Sequence, residues 1–307
     1  MTIGESKTRI GEFFTDGGLG RHETFAPRYG WLKKGIDAVA KDPNIFKEDD
    51  AIVKLGVGKN MVRSIRSWCL AFKLITQGED GFVPSMLGRK LLADDQGWDP
   101  YLEDDASLWL LHWQLFVPPF EAVSWPLAFN YCNLLNFNSN ELKNIIYDAG
   151  QAYPSLARIS PRTYQRDATC IISMYYDQEK KDSAITSPFV QLGLIHSSED
   201  KSRVTFNIGF KYTLPPLIFA AACFSYIGHY LSKSRRTISL QQLIFGVNSP
   251  GIAYKLPETV AGQYLNEACR YIKGFQLVDS LGSMQLHLLK PPQQLYYEVL
   301  NKFYLER

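Results

Sequence analysis

The chain has 307 residues, 46% of them hydrophobic and 21% charged, with 33 basic against 31 acidic side chains. That profile excludes a disordered tail protein, a collagen-like fibre and a disulfide scaffold, and the length suits about two or three domains. The net charge of +2 averages unlike parts: residues 21–90 hold 13 Lys or Arg and 8 Asp or Glu, residues 91–150 hold 1 and 9, and residues 151–307 hold 17 and 11.

Residues 1–20 read as an N-terminal tail. The stretch from Met1 to Gly11 has no apolar core behind its charges and does not look like a secretory signal. In the unit expected over 21–135, Lys47–Lys54 places Ala51, Ile52 and Leu55 at helical spacing. Leu55-Gly56-Val57-Gly58 then predicts a turn, and Asn60 can cap a second helix through Met61, Ile65, Trp68 and Phe72. Val53 to Asn60 resembles a phosphate-binding loop only superficially. The first glycine is replaced by Val53 and the magnesium-binding hydroxyl by Asn60, so both ends fail.

The apolar stripe leaves Lys59, Asn60, Arg63 and Arg66 near the start and on other faces of the second helix. In a helix-turn-helix that end meets base edges and phosphates; the plainer reading is a solvated helix face. Phe82-Val83-Pro84 and the basic Leu87–Leu92 flank suit a wing.

Gly97-Trp98-Asp99-Pro100-Tyr101-Leu102-Glu103-Asp104-Asp105 precedes the apolar run Leu108–Phe116, and all six tryptophans fall before residue 126. One reading makes the acids helix N-terminal charges. The other makes Asp99, Glu103 and Asp104 catalytic carboxylates that converge on magnesium or another divalent metal for phosphodiester chemistry, with Asp99 and Glu103 sharing a face if the segment is helical. His112 lies about 10 Å beyond Asp105 along a straight helix, too far to share that ion.

A second unit is expected over 136–212. It has a helix at Glu141–Ala149, a helix opened by Ser160-Pro161 that carries Arg162 and Arg166, and strands at Val190–Ile195 and Val204–Ile208 around the polar link 196–203. A third, over 213–307, has helix Leu217–Leu231, a basic link Lys233–Arg236, helices Ser239–Phe245 and Pro257–Tyr271, strands Phe275–Val278 and Met284–Leu288 around Leu281-Gly282-Ser283, and a closing helix Gln293–Tyr304. Leu214–Leu231 contains Pro215, Pro216 and His229 and reads as a buried helix rather than a membrane span. Five scattered cysteines read as core thiols of a cytoplasmic protein. The expected fold is mainly α with short β-hairpin wings, in tandem winged helix-turn-helix units.

Three blocks resemble a known bacterial family: Phe25-Ala26-Pro27-Arg28-Tyr29-Gly30-Trp31-Leu32-Lys33-Lys34-Gly35, Leu55-Gly56-Val57-Gly58-Lys59-Asn60-Met61-Val62, and Gly97–Asp104 with Leu108-Trp109-Leu110-Leu111-His112-Trp113. The family, long labelled only as a domain of unknown function, includes the B component of Ssp-type DNA phosphorothioation systems. These replace a non-bridging phosphate oxygen with sulfur in anti-phage defence. The resemblance implies a DNA-binding component that nicks one strand and works with a cysteine desulfurase, an ATP-binding protein and a reductase-like protein. It carries no catalytic positions over. A non-catalytic adaptor and a transcriptional regulator of the defence cluster are the alternatives.

Overall fold

The structure, a computed structural model, describes residues 18–177, 186–198, 202–231, 234–280 and 282–306. Most of the expected tail, the middle of the 196–203 link, Lys233 and Leu281 lie outside the described residues. The described chain is mainly α, with small antiparallel sheets of two or three strands.

Helix α1 (Trp31–Lys41) buries Trp31, Leu32, Ile36 and Val39 on one face and packs against α3 (Lys59–Ala71). Between them, the helix expected over 47–54 is divided into a 3-10 turn at Ile45–Lys47 and α2 (Ala51–Leu55). Glu48-Asp49-Asp50 intervene, and aspartate favours a helix entry over a helix interior. Gly56 ends α2 at φ +61°, a left-handed conformation natural to glycine. The cap of α3 is Gly58, and Asn60 is the second helical residue rather than the expected cap.

Strands β1 (Ile75–Gln77) and β2 (Phe82–Pro84) form an antiparallel hairpin, followed by α4 (Met86–Leu92). Gly81 in the hairpin turn has φ +150°, and a Cβ there would sit 2.5 Å from the Pro43 carbonyl oxygen. Next come α5 (Asp105–Gln114) and α6 (Ser124–Tyr131), then α7 (Ser139–Gly150), which opens on an Asn138–Glu141 capping box. Short α8 (Pro154–Ala157) precedes α9 (Pro161–Tyr175), which begins at Ser160-Pro161 as expected. The strand expected from Val190 is instead a 3-10 turn at Pro188–Leu192, closed by Gly193 at φ +57°. Only β3 (Ile195–Ser197) is extended, and it pairs with β4 (Val204–Phe206).

The C-terminal part runs α10 (Pro216–Tyr226), a π-helical turn (Ile227–Leu231), β5 (Thr237–Ser239), α11 (Leu240–Phe245), α12 (Pro250–Tyr254), α13 (Glu258–Tyr271), β6 (Phe275–Ser280), β7 (Ser283–Leu288) and α14 (Pro292–Leu305). The strands form an antiparallel sheet in the order β5-β7-β6. Sequence reading found β6 and β7 but not β5, whose three residues are too few to show alternation.

One continuous hydrophobic core runs across residues 135 and 212. Its axis is α5, buried from Ala106 through Gln114, as befits a helix apolar on all sides. Trp109 Nε1 donates to Thr213 Oγ1 at 3.0 Å. His112 Nε2 is 2.8 Å from the Ala253 carbonyl and Nδ1 is 2.7 Å from the Tyr175 hydroxyl. A carbonyl only accepts, so Nε2 carries the proton and Nδ1 accepts from Tyr175. Burial pushes the His112 pKa down to about 4, with the bond to Ala253 opposing. The five cysteines are free, and all but the half-buried Cys269 are core residues. Among the described residues no helix is long and apolar enough to cross a membrane.

Candidate nucleic-acid interface

Positive charge in the first 90 residues is largely spent on internal partners. Lys33 pairs with Asp37 and Asp94, Lys54 with Glu48 and Asp50, and Lys34 donates to the Leu55 carbonyl. Three further cations lie on α3. Lys59, Arg63 and Arg66 follow at four and three residues and so form one stripe, opposite the buried Val62, Ile65, Trp68 and Cys69. Lys59 and Asn60 are exposed, Arg66 half-buried. Arg63 Nη1 meets Glu23 Oε1 at a loose 3.3 Å, whereas Lys59 and Arg66 have no hydrogen-bond or ion-pair partner among the described residues.

A second stripe lies on α9, where Arg162 and Arg166 are one turn apart, exposed, and likewise without a partner among the described residues. The two helices meet across the turn formed by residues 18–24. Asp167 Oδ1 accepts from the Gly20 amide and lies against His22 Nε2, both at 2.9 Å, while Oδ2 accepts from Ser124 Oγ at 2.5 Å. The His22 ring stacks on Trp68 of α3 at 5.8 Å and meets Trp125 edge-on at 5.7 Å. Glu23 of the same turn holds Arg63, and Arg21 pairs with Glu121 at 2.7 Å. The helices carrying the two basic stripes are therefore tied to one buried knot.

The charge state of that knot follows from its contacts. Burial works against a charged His22, but the Cys170 sulfur and the Asp167 carboxylate outweigh it, so the imidazole titrates well above its ordinary 6.5. Asp167 Oδ1 anchors Nε2 of His22 at 2.9 Å, and the Cys170 sulfur acts on the same ring.

The acidic segment is organised differently. It is not helical: Leu102 has φ +54° and α5 begins only at Asp105, so Asp99 and Glu103 share no helix face. Asp99 is 8% exposed; its Oδ1 accepts from the Glu103 amide at 2.9 Å and its Oδ2 from the Asp104 amide at 3.1 Å. Asp104 caps α5 by accepting from the Ala106 amide at 2.8 Å, and Glu103 is exposed. Trp98 stacks on Tyr304 of α14 at 4.7 Å, docking the segment on the C-terminal helix. Among the described residues, no three His, Cys, Asp or Glu are grouped to hold a metal ion.

The family model described as protein of unknown function (DUF4007) matches residues 19–304. The chain belongs to this family. An SspB crystal structure is similar to it with a TM-score of 0.86 and 34% identity, covering 94% of this chain and 88% of that one. A magnesium ion-bound SspB crystal structure is similar with a TM-score of 0.86 and 33% identity over the same shares. No curated protein sequence matches significantly. The family resemblance carried by three blocks within residues 25–113 thus extends over nearly the whole chain.

Sequence reading missed His22, Ser124 and Asp167. A lone histidine and a lone serine carry no local signal. Asp167 offered one, a carboxylate on the buried face of α9 beside Tyr164, Ala168 and Ile171, where an unpaired charge would be costly.

Proposed function

We propose that the chain is the DNA-binding component of a bacterial DNA phosphorothioation system acting in anti-phage defence. The observation that carries this reading is the likeness to SspB over 94% of the chain at 34% identity. In this reading Lys59, Asn60, Arg63 and Arg66 meet DNA from α3, and Arg162 and Arg166 meet it from α9. The helix α2, the Gly56 turn, α3 and the β1–β2 hairpin act as a winged helix-turn-helix. The C-terminal order, one helix, a strand, further helices and two strands in a sheet β5-β7-β6, supports a second winged unit. The protein holds a strand for sulfur insertion by a cysteine desulfurase, an ATP-binding partner and a reductase-like partner.

Likeness to a magnesium-bound SspB structure favours a second reading, metal-dependent nicking at Asp99, Glu103 and Asp104. The donor set does not fit a ready-made magnesium site, because backbone amides already engage both Asp99 oxygens and one Asp104 oxygen.

The test is the phosphorothioate content of genomic DNA, read by iodine cleavage, in cells carrying the complete system. Loss on deleting this chain, restoration by the wild type and failure of restoration by the combined Arg63→Ala, Arg66→Ala variant are expected. Unchanged content on deletion contradicts the proposal.

A further inference from the structure

A cleft of about 670 Å³ separates the Lys73–Pro118 part of the chain from α10, the π-helical turn and α14. That volume falls in the ~300–1,000 Å³ range of small-molecule sites. The wall includes Lys73, Lys90 and His229, but no Asp or Glu. Much of the rest is aromatic: Trp98, Phe224, Tyr296 and Tyr297.

Several of these groups are fixed in place. The Trp98 ring lies parallel to Tyr304 within 4°, and Lys90 Nζ stands 5.2 Å from the Trp98 ring centroid. Lys73 has φ +58°, in the left-handed region that a non-glycine residue adopts only when its surroundings hold it there, and its Nζ donates to the Pro119 carbonyl. Burial pushes its ammonium down to about 8, with the Glu121 charge opposing, so the cation is under-compensated where it stands. The π-helical turn adds Gly228 and His229 to the wall; such turns are rare and recur at functional sites.

We propose that this cleft binds a nucleotide, with Lys73 and Lys90 on its phosphate and the aromatic wall against its base. Two cations on a wall that holds no Asp or Glu select an anion. A bare phosphate would leave the aromatic wall uncovered, and an uncharged ring would leave Lys90 without an anionic partner among the described residues and Lys73 with the Glu121 charge alone, whereas a nucleotide meets both. A free nucleoside monophosphate and an unstacked nucleotide of a DNA strand offer the same chemistry.

Equilibrium dialysis of the full chain tests this with deoxyadenosine monophosphate, deoxyadenosine, inorganic phosphate and a short 5′-phosphorylated single strand. Saturable binding of the monophosphate or the strand is expected, about tenfold or more tighter than of deoxyadenosine or phosphate alone. Lys90→Gln and Lys73→Gln lower it by about tenfold or more. Gly228→Trp blocks it; a Cβ at Gly228 meets nothing within 4 Å, so the indole enters open space. Arg270→Ala, which removes an exposed cation of α13 outside the cleft and both basic stripes, leaves it unchanged, which separates the cleft from a general effect of surface charge. Binding of the free monophosphate identifies a soluble ligand, and binding of the strand alone identifies DNA. Absence of binding by both, or binding indifferent to Lys90→Gln and Gly228→Trp, overturns the proposal.

Discussion

His22 Nε2 lies 2.9 Å from Asp167 Oδ1, a fully buried contact between residues 145 positions apart. It pins the turn that carries Arg21 and Glu23 onto α9, while the His22 ring rests on Trp68 of α3. The relative placement of the two basic helices thus depends on a residue pair that touches neither Arg63 nor Arg166.

Asp167→Ala removes the acceptor for His22, for the Gly20 amide and for Ser124 at once. Breaking a buried pair on one side costs about 3–5 kcal/mol. Urea unfolding is expected to show that loss, with a smaller one for Asp167→Asn, which keeps one carbonyl acceptor. A loss below about 1 kcal/mol for the alanine variant contradicts the bridging role.

The two buried histidines give stability opposite dependences on pH. His112, with its pKa lowered from 6.5 to about 4, is neutral when folded; the unfolded chain takes up the proton first as pH falls. Its contribution is complete above about pH 6.5 and is lost as pH falls toward 4, by roughly 3 kcal/mol. His22, raised above 6.5, contributes fully below that value and loses its contribution as pH rises through the folded pKa. Imidazole resonances followed by NMR check both: His112 is expected to stay neutral at pH 5, and His22 charged at pH 7.

Much of the fold could be read in the sequence because it is written locally. The glycine turn at Gly56, the Ser160-Pro161 entry to α9 and the paired strands β6 and β7 follow from cap, turn and periodicity rules. Where reading failed, a neighbour in sequence competed or a partner lay far away. Glu48-Asp49-Asp50 shortened α2, and Pro188 with Gly193 curled what reads as a strand. Alternation in β5 is invisible in three residues. Lys59, Asn60, Arg63 and Arg66 were legible as cations and a polar group off the apolar face of α3, but their tie to α9 through His22 was not, because it joins the two ends of a 145-residue separation.

Gly81→Ala brings a Cβ to 2.5 Å from the Pro43 carbonyl oxygen at a φ of +150°. Strain of order 1–3 kcal/mol is expected, concentrated in the β1–β2 hairpin. Hydrogen exchange of the Thr76 and Val83 amides should accelerate while that of α5 stays slow, and unchanged exchange contradicts this account of Gly81.

The carboxylates separate by role. Asp99→Ala strips two backbone amides of their acceptor and is expected to destabilise by about 1–3 kcal/mol, whereas Glu103→Ala on the surface leaves stability unchanged. In a magnesium-dependent plasmid-nicking assay, loss of nicking in Glu103→Ala with an unchanged Tm supports a metal role for this segment. Unchanged nicking in Glu103→Ala and Asp104→Ala removes it.

The central claim, that α3 and α9 present phosphate-binding cations, is tested most directly by the salt dependence of duplex DNA binding. Fluorescence anisotropy should show a steep fall in wild-type affinity with salt. The logarithmic slope should shrink by about 0.9 for each phosphate contact removed in Arg63→Ala, Arg66→Ala, Arg162→Ala and Arg166→Ala. Affinity and slope unchanged in all four would contradict it.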